Sequence, residues 1–313
     1  MILEIDKQCC NREFFNESKN ILEQELIKII SPIIDIGYVW KVVVSSDDNY
    51  EKIVSQIAKQ LNTVRNVSEY GMATAIIGEK DKKIRQAIVM RESIYIGLVY
   101  PLIKKIDLKD ENINFQIITA FESFYHECGH LKEQIKSLNL GRNVILTKVK
   151  YDLTIDEEMN QYIDEQSFSV WGEYYAQCFM YKTLKNGLPR EREDLENEIL
   201  RYIDVLDKDS DLIDVKTERY ELAYNLLYRY VHYIAYFHIS ENKNKKLENV
   251  KNKEIIYELN KIGRILRKTF VRYENEKIKL EQLEKICKKI YLNIARINDN
   301  KTKGILHWIR NIL

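Results

Sequence analysis

Apolar side chains at Phe15, Ile21, Leu22, Leu26, Ile29 and Ile30 recur at three- and four-residue intervals, predicting an amphipathic helix over 12–30 that stops before Pro32. The run Tyr38-Val39-Trp40-Lys41-Val42-Val43-Val44 is β-branched and aromatic and reads as a strand. Ser45-Ser46-Asp47-Asp48 then supplies N-cap chemistry for a helix containing Ile53, Ile57 and Leu61. Apolar stretches at 72–78 and 86–90 flank the charged turn Glu79-Lys80-Asp81-Lys82-Lys83, and a third strand is predicted over 93–99, giving an antiparallel or mixed sheet. From 112 to 136 the period becomes helical, with Phe115, Ile117, Ile118, Ala120, Phe121, Phe124 and Tyr125 covering most sides, the pattern of a buried helix. After Gly141 a linker carries Val144-Ile145-Leu146. A polar stretch then leads to a second strong helix over 169–184, closed by Asn186-Gly187 and Pro189. Beyond it the chain reads as helix throughout, over 191–206, 216–239, 251–270, 278–297 and a last turn or two at 303–313.

Composition agrees with this reading. In 313 residues, 45% hydrophobic side chains can fill a sizeable core, and only 3 Pro and 10 Gly leave long helices uninterrupted, which excludes a disordered tail and a many-turned β-sandwich. No apolar run reaches the length of a membrane span, and the first residues lack the basic, apolar and small-residue succession of a secretory signal. Five Cys, at 9, 10, 128, 178 and 287, show no CxxC pairing and suit reduced thiols in a cytoplasm. The net charge of +1 hides an asymmetry: residues 241–313 carry 19 Lys+Arg against 9 Asp+Glu, leaving 30 against 39 in 1–240. Because those lysines alternate with apolar residues at helical spacing, they read first as a solvated helix face, and second as a surface for nucleic acid or an acidic partner.

The chemistry is concentrated in His126-Glu127-Cys128-Gly129-His130. Two His four residues apart on a helix lie only about 40° apart around its axis, so both imidazoles can reach one metal ion beside that face. Glu127, one position on, can hold and deprotonate a metal-bound water. The pattern arises by chance on the order of 0.01 in a chain with five His. The plainer alternatives are two hydrogen-bonded core histidines, or Cys128 as a nucleophile, although at helical spacing the thiol points away from both rings.

A catalytic zinc needs a third protein ligand and keeps a fourth position for water. No third His follows closely, and of Glu157, Glu158, Glu165 and Glu173 only Glu173 stands in a strongly apolar helical stretch, Val170 to Met180. A carboxylate there is costly unless it is paired or binds metal, and Ala176 one turn on leaves room for a close helix. Tyr228, Tyr230 and His232 are candidates for an oxyanion-stabilising group, but with Tyr224, Tyr233, Tyr236 and Phe237 they form an aromatic stripe that reads as helix-packing core.

The His126-Glu127-x-x-His130 motif followed by Glu173-x-x-Ala176-x-x-Phe179 resembles the gluzincin zinc metallopeptidases, and most of all their ImmA/IrrE-like branch, over roughly residues 38–185. The resemblance implies one Zn2+ per chain held by His126, His130 and Glu173, with Glu127 as general base. It also implies hydrolysis of peptide bonds in a protein or peptide substrate. Members of that branch act in the bacterial cytoplasm on transcriptional repressors, so the expected role is a regulatory protease of bacterial or prophage origin. The expected fold is α+β: a zincin-like domain over 1–185, with a small mixed sheet over the active-site helix, then a mostly helical region over 186–313. Two rival readings stand beside it. One is a non-catalytic zinc-binding regulatory or interaction protein working through its basic helical C-terminal region. The other is a structural zinc site closed by Cys178 or Cys128.

Overall fold

The computed structural model describes residues 1–9, 12–64, 71–104, 115–145, 155–184, 192–208, 216–239 and 253–297. These are α+β, mostly helical, with one small mixed sheet, and they divide into two compact units: Met1–Tyr151 with Thr183–Leu188, and Asp152–Lys182 with Pro189–Leu313. The last predicted turn at 303–313, Leu146 of the linker and the Asn186-Gly187 and Pro189 stop lie outside the described residues. No helix among the described residues is long and apolar enough to cross a membrane.

The first unit runs β1 (Ile2–Ile5), α1 (Arg12–Ile30), β2 (Val39–Ser45), a 3-10 turn, α2 (Tyr50–Gln60), β3 (Ala73–Lys80), β4 (Lys83–Arg91), α3 (Glu92–Lys104) and α4 (Phe115–Asn139). The sheet order is β1-β2-β4-β3, with β1, β2 and β4 parallel and β3 antiparallel at the edge. The hairpin joining β3 to β4 turns on Asp81 and Lys82 with φ of 53° and 57°. Two successive positive φ angles give the type I′ geometry whose twist matches that of the flanking strands. Val43, Ile76, Ala87 and Val89 pack with Tyr50, Val54, Ile57, Ala58 and Leu61 of α2 and the turn after it. On the other face of the sheet Val42, Val44, Ala75, Ile88 and Met90 are also buried, and α3 and α4 pack on it. A sheet covered on both faces reads as continuous apolar runs, which is why β2 and β4 were legible.

Two elements depart from the sequence expectation. Residues 93–99, expected as a strand, are the body of α3. Its buried residues Ile94, Tyr95, Leu98 and Val99 line one helical face. Tyr95 meets Phe15 edge-on at 5.1 Å, and a Cβ on Gly97 would stand 2.5 Å from that of Ala120 on α4. Tertiary packing of this closeness overrides the β-branched content of a short segment. β1 was not anticipated: of its four residues only Leu3 is buried, too short an alternation to signal a strand.

α4 is tied to the sheet by polar links as well as apolar ones. Buried Gln86 of the central strand β4 donates from Nε2 to the Leu131 carbonyl at 2.8 Å. The helix ends where Gly141, at φ +96°, lets Arg142 N–H reach Ser137 O at 3.0 Å and Gly141 N–H reach Leu138 O at 2.9 Å. This is a Schellman cap.

The second unit comprises α5 (Ile155–Thr183, whose last residue falls to the first unit), α6 (Arg192–Lys208), α7 (Lys216–Ile239), α8 (Lys253–Glu274) and α9 (Leu280–Ile297). α5 begins fourteen residues earlier than expected, its N-terminal half being mostly charged or polar with Ile155, Met159, Tyr162, Ile163 and Phe168 interspersed. Its C-terminal half is largely apolar and buried, with Glu173 and Gln177 set into it. Trp171 and Tyr175 meet Tyr273 of α8 edge-on at 5.3 and 5.4 Å, and Tyr174 meets Phe270 at 6.1 Å. Tyr291 of α9 donates to the Tyr220 carbonyl of α7 at 3.0 Å.

Because a Cβ on Gly141 would meet nothing within 4 Å, any cost of Gly141→Ala is that of its backbone conformation alone. The substitution should lower unfolding stability by about 1–2 kcal/mol. An unchanged denaturation midpoint would contradict the left-handed cap.

Candidate metal centre

His126 and His130 stand near the middle of the 25-residue α4. Their four-residue spacing turns both rings to one side, and the Nε2 atoms lie 3.0 Å apart with ring planes at 87°. In a tetrahedral zinc site with bonds near 2.1 Å, ligand nitrogens stand roughly 3.4 Å apart. The pair is thus close to the separation such a site uses.

Glu127 points elsewhere. Its side chain is buried against the sheet, where Oε2 accepts the N–H of Ala75 in edge strand β3 at 2.5 Å. The antiparallel pairing of β3 with β4 leaves that N–H on the outer edge of the sheet. A backbone donor from the sheet therefore fixes the carboxylate of the residue that follows His126. Two further carboxylates of α4 are buried: Glu133, which accepts from Ser137 Oγ at 2.5 Å, and Glu122.

Cys128 is fully buried. Loss of water, reinforced by the neighbouring Glu127 charge, pushes its thiol far above the ordinary cysteine range. Burial raises Cys178 in the same way. A thiol held protonated is neither a nucleophile nor a ready metal ligand.

Of the four carboxylates considered from sequence, Glu157, Glu158 and Glu165 are exposed, and Glu165 accepts from Gln161 Nε2 at 2.8 Å. Glu173 is largely buried. Since α5 is one continuous helix, Glu165 and Glu173 are about 12 Å apart along its axis. His126 and His130 of α4 and Glu173 of α5 form the donor set, two imidazoles and a carboxylate, that could hold a metal ion and is compatible with an HExxH-type zinc site. Among the described residues, no other group of three or more His, Cys, Asp or Glu side chains gathers in this way, and no thiol belongs to this one.

Two neighbours of Glu173 were not chosen from sequence. His232 Nε2 of α7 lies 3.5 Å from Glu173 Oε2, and Gln177, one turn after Glu173, has its Nε2 3.0 Å from His232 Nδ1. The aromatic stripe of α7 thus splits. Tyr230, Tyr233 and Phe237 are core, whereas His232 turns towards the carboxylate with the Tyr228 ring against it at 4.6 Å. The four-residue step from Glu173 to Gln177 was the one signal available beforehand.

No protein-family model, curated protein or solved structure matches the chain.

Metal analysis of the protein equilibrated with Zn2+ should find one ion per chain. Glu173→Ala should weaken its binding by at least about 100-fold, while Glu165→Ala leaves it unchanged. The reverse pattern would move the carboxylate ligand to Glu165.

Proposed function

We propose that the protein is a zinc-dependent metallopeptidase of the gluzincin type, acting on a protein or peptide substrate in the cytoplasm. The observation that carries this reading is the His126, His130 and Glu173 donor set, with Glu127 next to His126 in the same helix and its carboxylate anchored by the Ala75 N–H. Structural zinc sites fill all four positions with side chains, whereas catalytic ones use three and leave one open. Two imidazoles and one carboxylate, with no thiol or further acid joining the cluster among the described residues, match the second pattern.

His126, His130 and Glu173 would hold the ion, which supplies a polarised carbonyl and a water acidic enough to lose a proton near neutral pH. Glu127 is the group that takes that proton. As the water oxygen bonds to the scissile carbon, the proton passes to Glu127, and from Glu127 to the departing amine nitrogen as the C–N bond breaks. The Ala75 N–H gives the general base a fixed position through both transfers, because it comes from hydrogen-bonded sheet and not from a loop. The buried thiols Cys128 and Cys178 are in keeping with a reducing compartment.

Glu127→Gln keeps the shape of the side chain but cannot accept a proton. It should retain the metal while chelator-sensitive cleavage of a quenched-fluorescence peptide library falls by about 10²–10⁴-fold. Loss of metal together with activity would make Glu127 a ligand or a structural group and overturn the mechanism.

A further inference from the structure

We propose that His232 and Gln177 act as positioning residues for Glu173, a relay in which Gln177 sets the tautomer of His232 and His232 holds the carboxylate in its ligating orientation. The inference rests on the reading of Glu173 as a metal ligand and goes beyond it, since neither residue belongs to the ligand set.

Glu173 and Gln177 are four residues apart on α5 and so share a face, and His232 of α7 stands against both. All three have little contact with water: Gln177 is 5% exposed, and the Glu173 and His232 side chains 12% and 13%. Here the hydrogen-bonding roles are set by the neighbours. The Gln177 amide nitrogen is nearer Nδ1, at 3.0 Å, than Nε2, at 3.5 Å, so in the neutral ring the amide donates to Nδ1 and the ring proton stays on Nε2. Nε2 is the nitrogen that faces Glu173 Oε2 at 3.5 Å. In the neutral ring, turning the amide over would place its oxygen on Nδ1, draw the proton there and set an unprotonated Nε2 against a carboxylate. The carboxylate therefore selects the amide orientation, and the three side chains specify one another.

The consequence for a metal centre is orientational. A carboxylate with two equivalent oxygens can swing between one-oxygen and two-oxygen ligation. At 3.5 Å His232 Nε2 is in ion-pair range of Oε2 and not hydrogen-bonded to it; a donor drawn onto that oxygen leaves the other to the ion and raises the directional precision of the site. Outer donors of this kind are worth about 10–100-fold in metal affinity. Tyr228, with its ring 4.6 Å from that of His232, limits the rotation of the imidazole and keeps the donor aimed.

The test compares full-length wild type with His232→Ala, His232→Gln and Gln177→Leu. It measures Zn2+ affinity by competition with a chromogenic chelator and the visible spectrum of the Co2+-substituted protein, with circular dichroism to establish that each variant is folded. His232→Ala should raise the Zn2+ dissociation constant about 10–100-fold and change the Co2+ d–d bands while still binding one ion. His232→Gln, whose amide N–H reaches about as far as Nε2, should return the affinity to within a few-fold of wild type, and Gln177→Leu should show a smaller loss than His232→Ala. Unchanged affinity and spectrum in His232→Ala, or a His232→Gln variant as impaired as His232→Ala, would overturn the relay and leave the metal centre standing. A wild-type protein that takes up neither Zn2+ nor Co2+ would overturn both. If His232→Ala does not fold, wild-type affinity and spectrum in Gln177→Leu would overturn the relay, and a loss in it beside recovery in His232→Gln would support it.

Discussion

A carboxylate withdrawn from water must be given a donor or a cation, and the placement of carboxylates against the core is the constraint on which this site depends. Glu127 meets it with the Ala75 amide of the edge strand, and Glu173 stands against His232. A hydrogen bond to a charged group contributes about 1.5–3 kcal/mol, and leaving such a group buried without one costs more than that contribution. These links therefore fix side-chain direction as firmly as apolar packing does. The Gln86 to Leu131 bond and the Gly97 to Ala120 approach extend the same restraint to the helix that carries the motif.

Helices with a regular apolar face were legible in the sequence: the expected ranges 12–30 and 216–239 are the observed ones, and the helices expected over 251–270 and 278–297 were found within a few residues of their ends. The β3–β4 hairpin was legible because charged turn residues separate two apolar runs. Residues 93–99 were not, because a seven-residue apolar segment carries no period of its own and its helical state comes from Phe15 and Ala120, which lie far away in sequence. The start of α5 was missed as well: Ile155, Met159, Tyr162 and Ile163 recur at helical spacing, but the Asp, Glu, Asn and Gln residues around them made the stretch read as polar.

The candidate site divides in the same way. His126, Glu127 and His130 were visible because a single helix fixes their mutual geometry, and Glu173 because a carboxylate in an apolar stretch asks for an explanation. Their partners were hidden, since Ala75 is 52 residues before Glu127 and His232 is 59 after Glu173. No local pattern encodes such a pairing. What looked in sequence like one aromatic stripe on α7 contains both core tyrosines and the imidazole that faces Glu173.

X-ray absorption at the zinc edge of the reconstituted protein tests the central claim most directly, because it counts the donor atoms around the metal whether or not a substrate is known. The account predicts a first shell of nitrogen and oxygen only, at about 2.0–2.1 Å, with the outer-shell scattering of two imidazoles. A sulfur shell near 2.3 Å, bringing Cys128 or Cys178 into the ligand set, or scattering from fewer than two imidazoles, would contradict it.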